Sequence, residues 1–202
     1  MDGENPNKKN KIIIIVIVLV FIAPSILSWY VFNHTNFLES RGTSNYGQII
    51  TPPIQLEDLS LIDPLNTERN DTLHGKWSMI YVAELCDEIC MENVYRMRQI
   101  HMGIGKHSLR VQKVLFLTNQ HPGELSKLFI NYAGQQVIST DSVDLDALLG
   151  KFRSEKIITP TKAGHIYISD PLGNLMMSYP PEINPKGILK DLKKLLRASR
   201  IG

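Results

Sequence analysis

The sequence predicts a three-layer α/β/α sandwich preceded by one amino-terminal transmembrane helix, and three observations carry that prediction. The first is an uncharged run from Ile12 to Leu38. The second is an alternation of short β-rich runs with segments of helical periodicity. The third is a cysteine pair, Cys86 and Cys90, placed where the first such strand meets the first such helix.

A chain of 202 residues suits one domain of ordinary size plus an extension. Its 43% hydrophobic and 21% charged residues exclude a largely disordered, collagen-like or disulfide-scaffold protein. The net charge of +2 hides an uneven distribution: residues 1–11 carry +1, residues 34–150 carry −5 and residues 151–202 carry +6. No surface is basic enough overall to predict nucleic acid as a partner.

Residues 12–32 read IIIIVIVLVFIAPSILSWYVF. As a helix they span roughly 31 Å, enough for the hydrocarbon core of a bilayer. Lys8, Lys9 and Lys11 precede the run and the next basic residue is Arg41, so the positive-inside rule keeps residues 1–11 in the cytoplasm and exports the rest. Trp29 and Tyr30 fall where aromatic rings favour the headgroup layer, and Pro24 is a kink position. The run exceeds the 7–15 residues of a signal-peptide core and no A-x-A site follows, so it reads as an uncleaved anchor in the inner membrane. Residues 33–72, punctuated by Gly42, Gly47, Pro52, Pro53 and Pro64, read as a periplasmic tether with short extended pieces, and His34 as a solvated linker residue.

Residues 73–202 read as the folded domain. Trp77–Leu85 is apolar and β-rich, as a buried strand requires. From Asp87 to Met102, Cys90, Val94, Met97 and His101 recur on one helical face, with acids in the first turn and Gly103 and Gly105 as stops. Val111–Thr118 is a second strand, Gly123–Asn131 a short helix, Gln135–Ser139 a strand and Val143–Arg153 a helix. His165–Ser169 and Leu175–Tyr179 form a hairpin around the turn Asp170–Asn174. Ile188–Ala198 closes the chain as an amphipathic helix. A parallel pair of strands followed by an antiparallel pair is thioredoxin-like topology.

The chemistry lies in Cys86-Asp87-Glu88-Ile89-Cys90. Two thiols four apart meet on one face of a helical first turn, where they either close a disulfide or jointly hold a soft ion. Backbone N–H groups and the helix dipole favour thiolate there, while Glu84, Asp87, Glu88 and Glu92 oppose it and favour a bound cation.

Gly75-Lys76-Trp77, the strand after it, the Cys86–Cys90 pair opening a helix, and the late Asp170-Pro171-Leu172-Gly173-Asn174 together resemble the Sco/SenC family of membrane-anchored, thioredoxin-like cytochrome c oxidase assembly proteins. The likeness covers residues 50–200. It implies that Cys86 and Cys90 bind copper, or serve as a dithiol that reduces oxidase subunit II before its copper centre is filled; the implied partner is that subunit or another copper or thiol assembly factor. Two departures stand out at the pair itself and at the strand end: Asp87 replaces the family's proline, and Asn119 replaces an aspartate. The family's third copper ligand is a histidine nine residues before the turn proline, and that count falls on Lys162. The nearest histidine is His165, the candidate third ligand.

Other residues are weaker candidates. His101 lies eleven residues beyond Cys90, about 16 Å along the helix. Met91 offers a thioether suited to Cu(I), although methionine is commonly core filler. His74, His107 and His121 read as loop residues, Met176 and Met177 as the two faces of the hairpin, and Thr159-Pro160 as the cis-proline of this topology or a plain loop proline. Three functions follow for the pair: copper handling, thiol–disulfide exchange with Cys86 attacking and Cys90 resolving, or an inert disulfide in a membrane-tethered interaction module.

Overall fold

The computed structural model describes residues 6–34, 45–140 and 143–201, in two compact units, Met1–Ser44 and Asn45–Gly202. The first unit contains helix α1, Pro6–His34, and within it Asn10–Val31 is long and apolar enough to cross a membrane. Arg41 and Gly42 of the expected tether lie outside the described residues.

The second unit is one eight-stranded mixed sheet flanked by helices. Its strands are β1 Gln48–Gln55, β2 Ser60–Asp63, β3 Asn66–Thr72, β4 Trp77–Ala83, β5 Val111–Leu117, β6 Gln135–Ile138, β7 Ile166–Ser169 and β8 Asn174–Tyr179. Their order across the sheet is β1-β8-β7-β4-β5-β6-β2-β3. The central β4, β5 and β6 run parallel, and β7 joins β4 antiparallel from the other side. Every residue of β4 and β5 is buried, which is why these strands read as continuous apolar runs rather than alternating ones.

Helices α2, Glu88–Ile104, and α4, Pro185–Ala198, pack on one face of the sheet. Met79, Tyr81 and Ala83 of β4 meet there with Val94 and Met97 of α2 and Ile188, Leu192 and Leu196 of α4. Helix α3, Leu145–Lys151, belongs to the other face, where Ile80, Val82, Val114 and Phe116 pack with Leu148, Phe152 and Tyr167. These three layers match the predicted sandwich. The period-2 alternation along β4 and β7 divides the two cores.

Two expectations change, and of the two readings of Thr159-Pro160 the plain loop proline holds. Residues 48–72, expected as tether with extended pieces, form three strands of the sheet. Pro52 and Pro53 are tolerated because β1 is an edge strand, and the register of β1 on β8 shifts between Ile49 and Ile54. Strand β3, Asn-Thr-Glu-Arg-Asn-Asp-Thr, is the other edge and too polar to show an apolar pattern. Gly123–Asn131 is a 3₁₀ turn at Pro122–Leu125 followed by turns, since so short a segment opening on Pro-Gly cannot sustain a helix. Leu125 and Phe129 still point inward while Leu128 is exposed. The Thr159–Pro160 peptide is trans and Pro160 opens a 3₁₀ turn, Pro160–Lys162; the cis bond lies at Thr51–Pro52.

Candidate functional site

The cysteines stand where β4 gives way to α2. The parallel strands β4 and β5 extend together past their ends: Thr118 N–H donates to the Ala83 carbonyl (3.1 Å) and Asn119 N–H to that of Glu84 (2.8 Å). This fixes the turn before Cys86, whose own N–H donates to Gln120 Oε1 at 2.7 Å. Asp87 then caps α2 in extended conformation, its Oδ1 accepting from Cys90 N–H at 2.9 Å. The aspartate that replaces the expected proline is thus an N-cap, which satisfies one of the helix's free donors.

Within this frame Cys86 and Cys90 form a disulfide, with Cα atoms 4.9 Å apart. Cys86 is 8% exposed and Cys90 fully buried in the core of that face, so Cys86 is the more exposed of the two. Met91 Sδ sits 3.8 Å from Cys86 Sγ; a disulfide sulfur carries no hydrogen, so this is a sulfur–sulfur packing contact.

A cleft of about 350 Å³ opens beside the disulfide, lined by Tyr81, Glu84, Leu85, Asp87, Ile89 and Lys162 among others. Leu85 and Ile89 are exposed on it. Lys162 is the residue reached by counting back from the turn proline, and it lies at this cleft. Its Nζ is 3.9 Å from Glu84 Oε1, with both side chains largely exposed. Thr161 Oγ1 donates to the same carboxylate at 3.3 Å. The residue reached by that spacing thus lies at the cleft as an ammonium rather than an imidazole.

His165 is elsewhere. It stands just before β7 on the side of Tyr167, with ring centroids 6.0 Å apart, and Tyr167 belongs to the face opposite the cysteines. Burial lowers the His165 pKa, against a smaller opposing effect of Glu182, and its buried Nδ1 has no hydrogen-bond partner. Strand parity explains the placement: His165 precedes Tyr167 by two residues and so shares its face of the sheet. Among the described residues no group of three or more His, Cys, Asp or Glu side chains is arranged to hold a metal.

His101 is also apart from the pair. Its Nε2 reaches the carbonyls of Ser108 and Val111, both at 3.0 Å, so that nitrogen donates. Burial, then Lys113, lowers its pKa. It lines a second cleft, of about 390 Å³, with Lys76, Arg98 and Lys113. That cleft adjoins the start of β5 and contains no cysteine.

Three residues around the disulfide escape sequence reasoning. Gln120 holds Cys86 N–H from three residues beyond β5. Tyr81, on the inward parity of β4, is buried beneath the site, where desolvation raises its pKa, a hydrogen bond with Asn93 lowers it and Asp87 raises it. Asn93 is a buried polar residue three positions after Cys90, donating to the Ile89 carbonyl at 3.0 Å. That i+3 spacing, and the parallel neighbour of the cysteine strand, are the signals that find them.

Comparison with known proteins agrees with this architecture. A search of curated proteins by sequence finds no match. In fold the chain is similar to ScoI of Bradyrhizobium japonicum with copper bound (16% identity, TM-score 0.53, covering 69% of this chain and 98% of that one). It is likewise similar to yeast Sco1 with copper bound (15%, TM-score 0.56, covering 73% and 95%). A third is BsSco, a member of the Sco family of cytochrome c oxidase assembly proteins in which a disulfide switch has been identified (18%, TM-score 0.53, covering 75% and 99%). Residues 77–199, from the strand that delivers the cysteines to the closing helix, match the family described as transmembrane-like, thioredoxin-like, C-terminal domain, and the protein belongs to that family, with a Sco-like fold.

Proposed function

We propose that the protein is a membrane-tethered, exported assembly factor of Sco-like type, acting on a copper centre of cytochrome c oxidase through Cys86 and Cys90. The observation that supports this reading is the disulfide at the β4–α2 junction, with Cys86 between two residues that line an open cleft, Leu85 and Asp87, and Cys90 sealed in the core. α1 anchors the chain in the cytoplasmic membrane, the lysines before it keep the amino terminus in the cytoplasm, and the sheet domain works in the periplasm. Oxidase subunit II, or another copper or thiol assembly factor, is the partner.

In the dithiol form, Cys86 thiolate attacks a disulfide sulfur of the partner, giving a mixed disulfide and one partner thiolate. Cys90 thiolate then displaces the second partner thiolate and closes Cys86–Cys90. The partner gains two electrons and this chain loses two, and the partner's cysteines are left ready for metal. The same two thiolates are soft donors for Cu(I), the cargo of the second mode.

Both modes are read on the full chain in detergent micelles. A redox titration is expected to give a reversible couple above about −300 mV, the range of exchangeable rather than structural disulfides. The anaerobically reduced chain is expected to take up one Cu(I), and Cys86→Ser and Cys90→Ser to lose it. A disulfide that resists reduction in that range, with no Cu(I) uptake once reduced, overturns the reading in favour of an inert cross-link.

A further inference from the structure

The Sco resemblance leads to a metal site with two cysteines and an imidazole, and this chain lacks the imidazole. Lys162 stands at the cleft in its place, and an ammonium has no lone pair to donate. His165 is turned to Tyr167 on the opposite face of the sheet. The remaining soft donor beside the pair is Met91, whose thioether sulfur lies 3.8 Å from Cys86 Sγ.

This contact follows from helix geometry. Cys90 and Met91 are neighbours in α2, so their side chains diverge by about 100° around the axis. Cys90 points into the core, while Met91 is half-buried at its edge and folds its flexible side chain back over Cys86. The two sulfurs on the outer side of the site thus face each other.

We infer that the reduced site binds Cu(I) through three sulfurs, the thiolates of Cys86 and Cys90 and the thioether of Met91. With metal–sulfur distances of about 2.3 Å, three donors in a trigonal plane stand roughly 4 Å apart. The Cys86–Met91 edge, at 3.8 Å, already has that length in the oxidised protein. Reduction frees Cys90 Sγ from its bond to Cys86 to complete the triangle. An all-sulfur set without imidazole or oxygen selects the soft cuprous ion over Cu(II). The thioether adds no charge, so the loaded site carries the −1 left by two thiolates on one Cu(I). Loading is balanced: a dithiol reductant gives two electrons and two protons to the Cys86–Cys90 disulfide and becomes a disulfide itself. Cu(I) then displaces both thiol protons into solvent.

This inference rests on the copper mode of the proposed function, and the test separates the two. The full chain in detergent is reduced anaerobically with excess dithiothreitol, freed of it, and titrated with Cu(I) against a chromophoric cuprous chelator, comparing wild type with Met91→Leu. X-ray absorption at the copper edge counts the sulfurs. Wild type is expected to show three sulfurs at about 2.3 Å. Met91→Leu, close in volume, is expected to show two and to bind at least about tenfold more weakly. The potential of the cysteine pair in Met91→Leu should match wild type, which shows that the site has folded and that the loss belongs to the metal. Two-sulfur copper in wild type with unchanged affinity in Met91→Leu overturns the role of Met91 and leaves the proposed function standing. No Cu(I) uptake by reduced wild type overturns both.

Discussion

Asp87 shows how one residue redirects a motif. The sequence presents it as negative charge beside a cysteine, opposing thiolate. In the structure its carboxylate is committed to Cys90 N–H, so it also competes for the donors that would otherwise stabilise a thiolate at the helix start. Removing the cap by Asp87→Ala is expected to cost about 1 kcal/mol in chemical denaturation, while Asp87→Asn, which keeps an accepting oxygen, is expected to retain most of it. Equal losses in the two variants would show that the cap contributes little and that charge sets the effect. Cys86 and Cys90 were legible in the sequence because spacing and placement both mark them. Gln120 was not, because its link to Cys86 passes through the parallel pairing of β4 with β5, which no local pattern encodes.

At the scale of elements, the residues that lead into β1 are held by the domain's last helix. Asp191 of α4, nearly fully buried, accepts from Tyr46 N–H at 2.7 Å, Gly47 N–H at 3.1 Å and Tyr179 O–H at 3.2 Å. Burial, then the adjacent Asp191 carboxylate, pushes the Tyr179 pKa far up, so the phenol stays protonated and keeps donating. Gly47 lies so close to the Tyr179 ring that an added Cβ would overlap it. Asp191→Ala leaves these donors without their acceptor and is expected to lower stability by about 2–3 kcal/mol, with Asp191→Asn losing less. A drop within 0.5 kcal/mol, read from denaturant midpoints, would mean that water replaces the carboxylate. The closing helix was legible from its apolar stripe. Asp191 hides on it as one more acid of an amphipathic helix, because two of its three partners lie 144 and 145 residues away in the chain.

For the whole molecule, the pH dependence of stability follows from His101 and His165. Burial holds both pKa values below the ordinary histidine value of about 6.5, so the unfolded chain binds more protons than the folded one as pH falls through that value. Their stabilising share is therefore fully present above about pH 7 and is lost on acidification through 6.5 toward the depressed folded values. Thermal midpoints should fall between pH 7 and pH 5.5, and a His101→Gln, His165→Gln double variant should flatten that decline; an equally steep decline would place its origin in the carboxylates. The central strands, the strand and helix that flank Cys86 and the α/β/α layering were legible because buried parallel strands and amphipathic helices have distinct periods. The edge strands β1 and β3 were not, since prolines and polar residues that protect a sheet edge from further pairing also erase its pattern.

The Asp191 clamp also sets how mechanical load enters the domain. A pull applied at Asn45 meets two hydrogen bonds to Asp191 of α4 and the edge pairing of β1 with β8 before it reaches β4, the strand that leads to Cys86. Strain entering there is spent at the sheet's margin, and the disulfide beside the central strands is insulated from it.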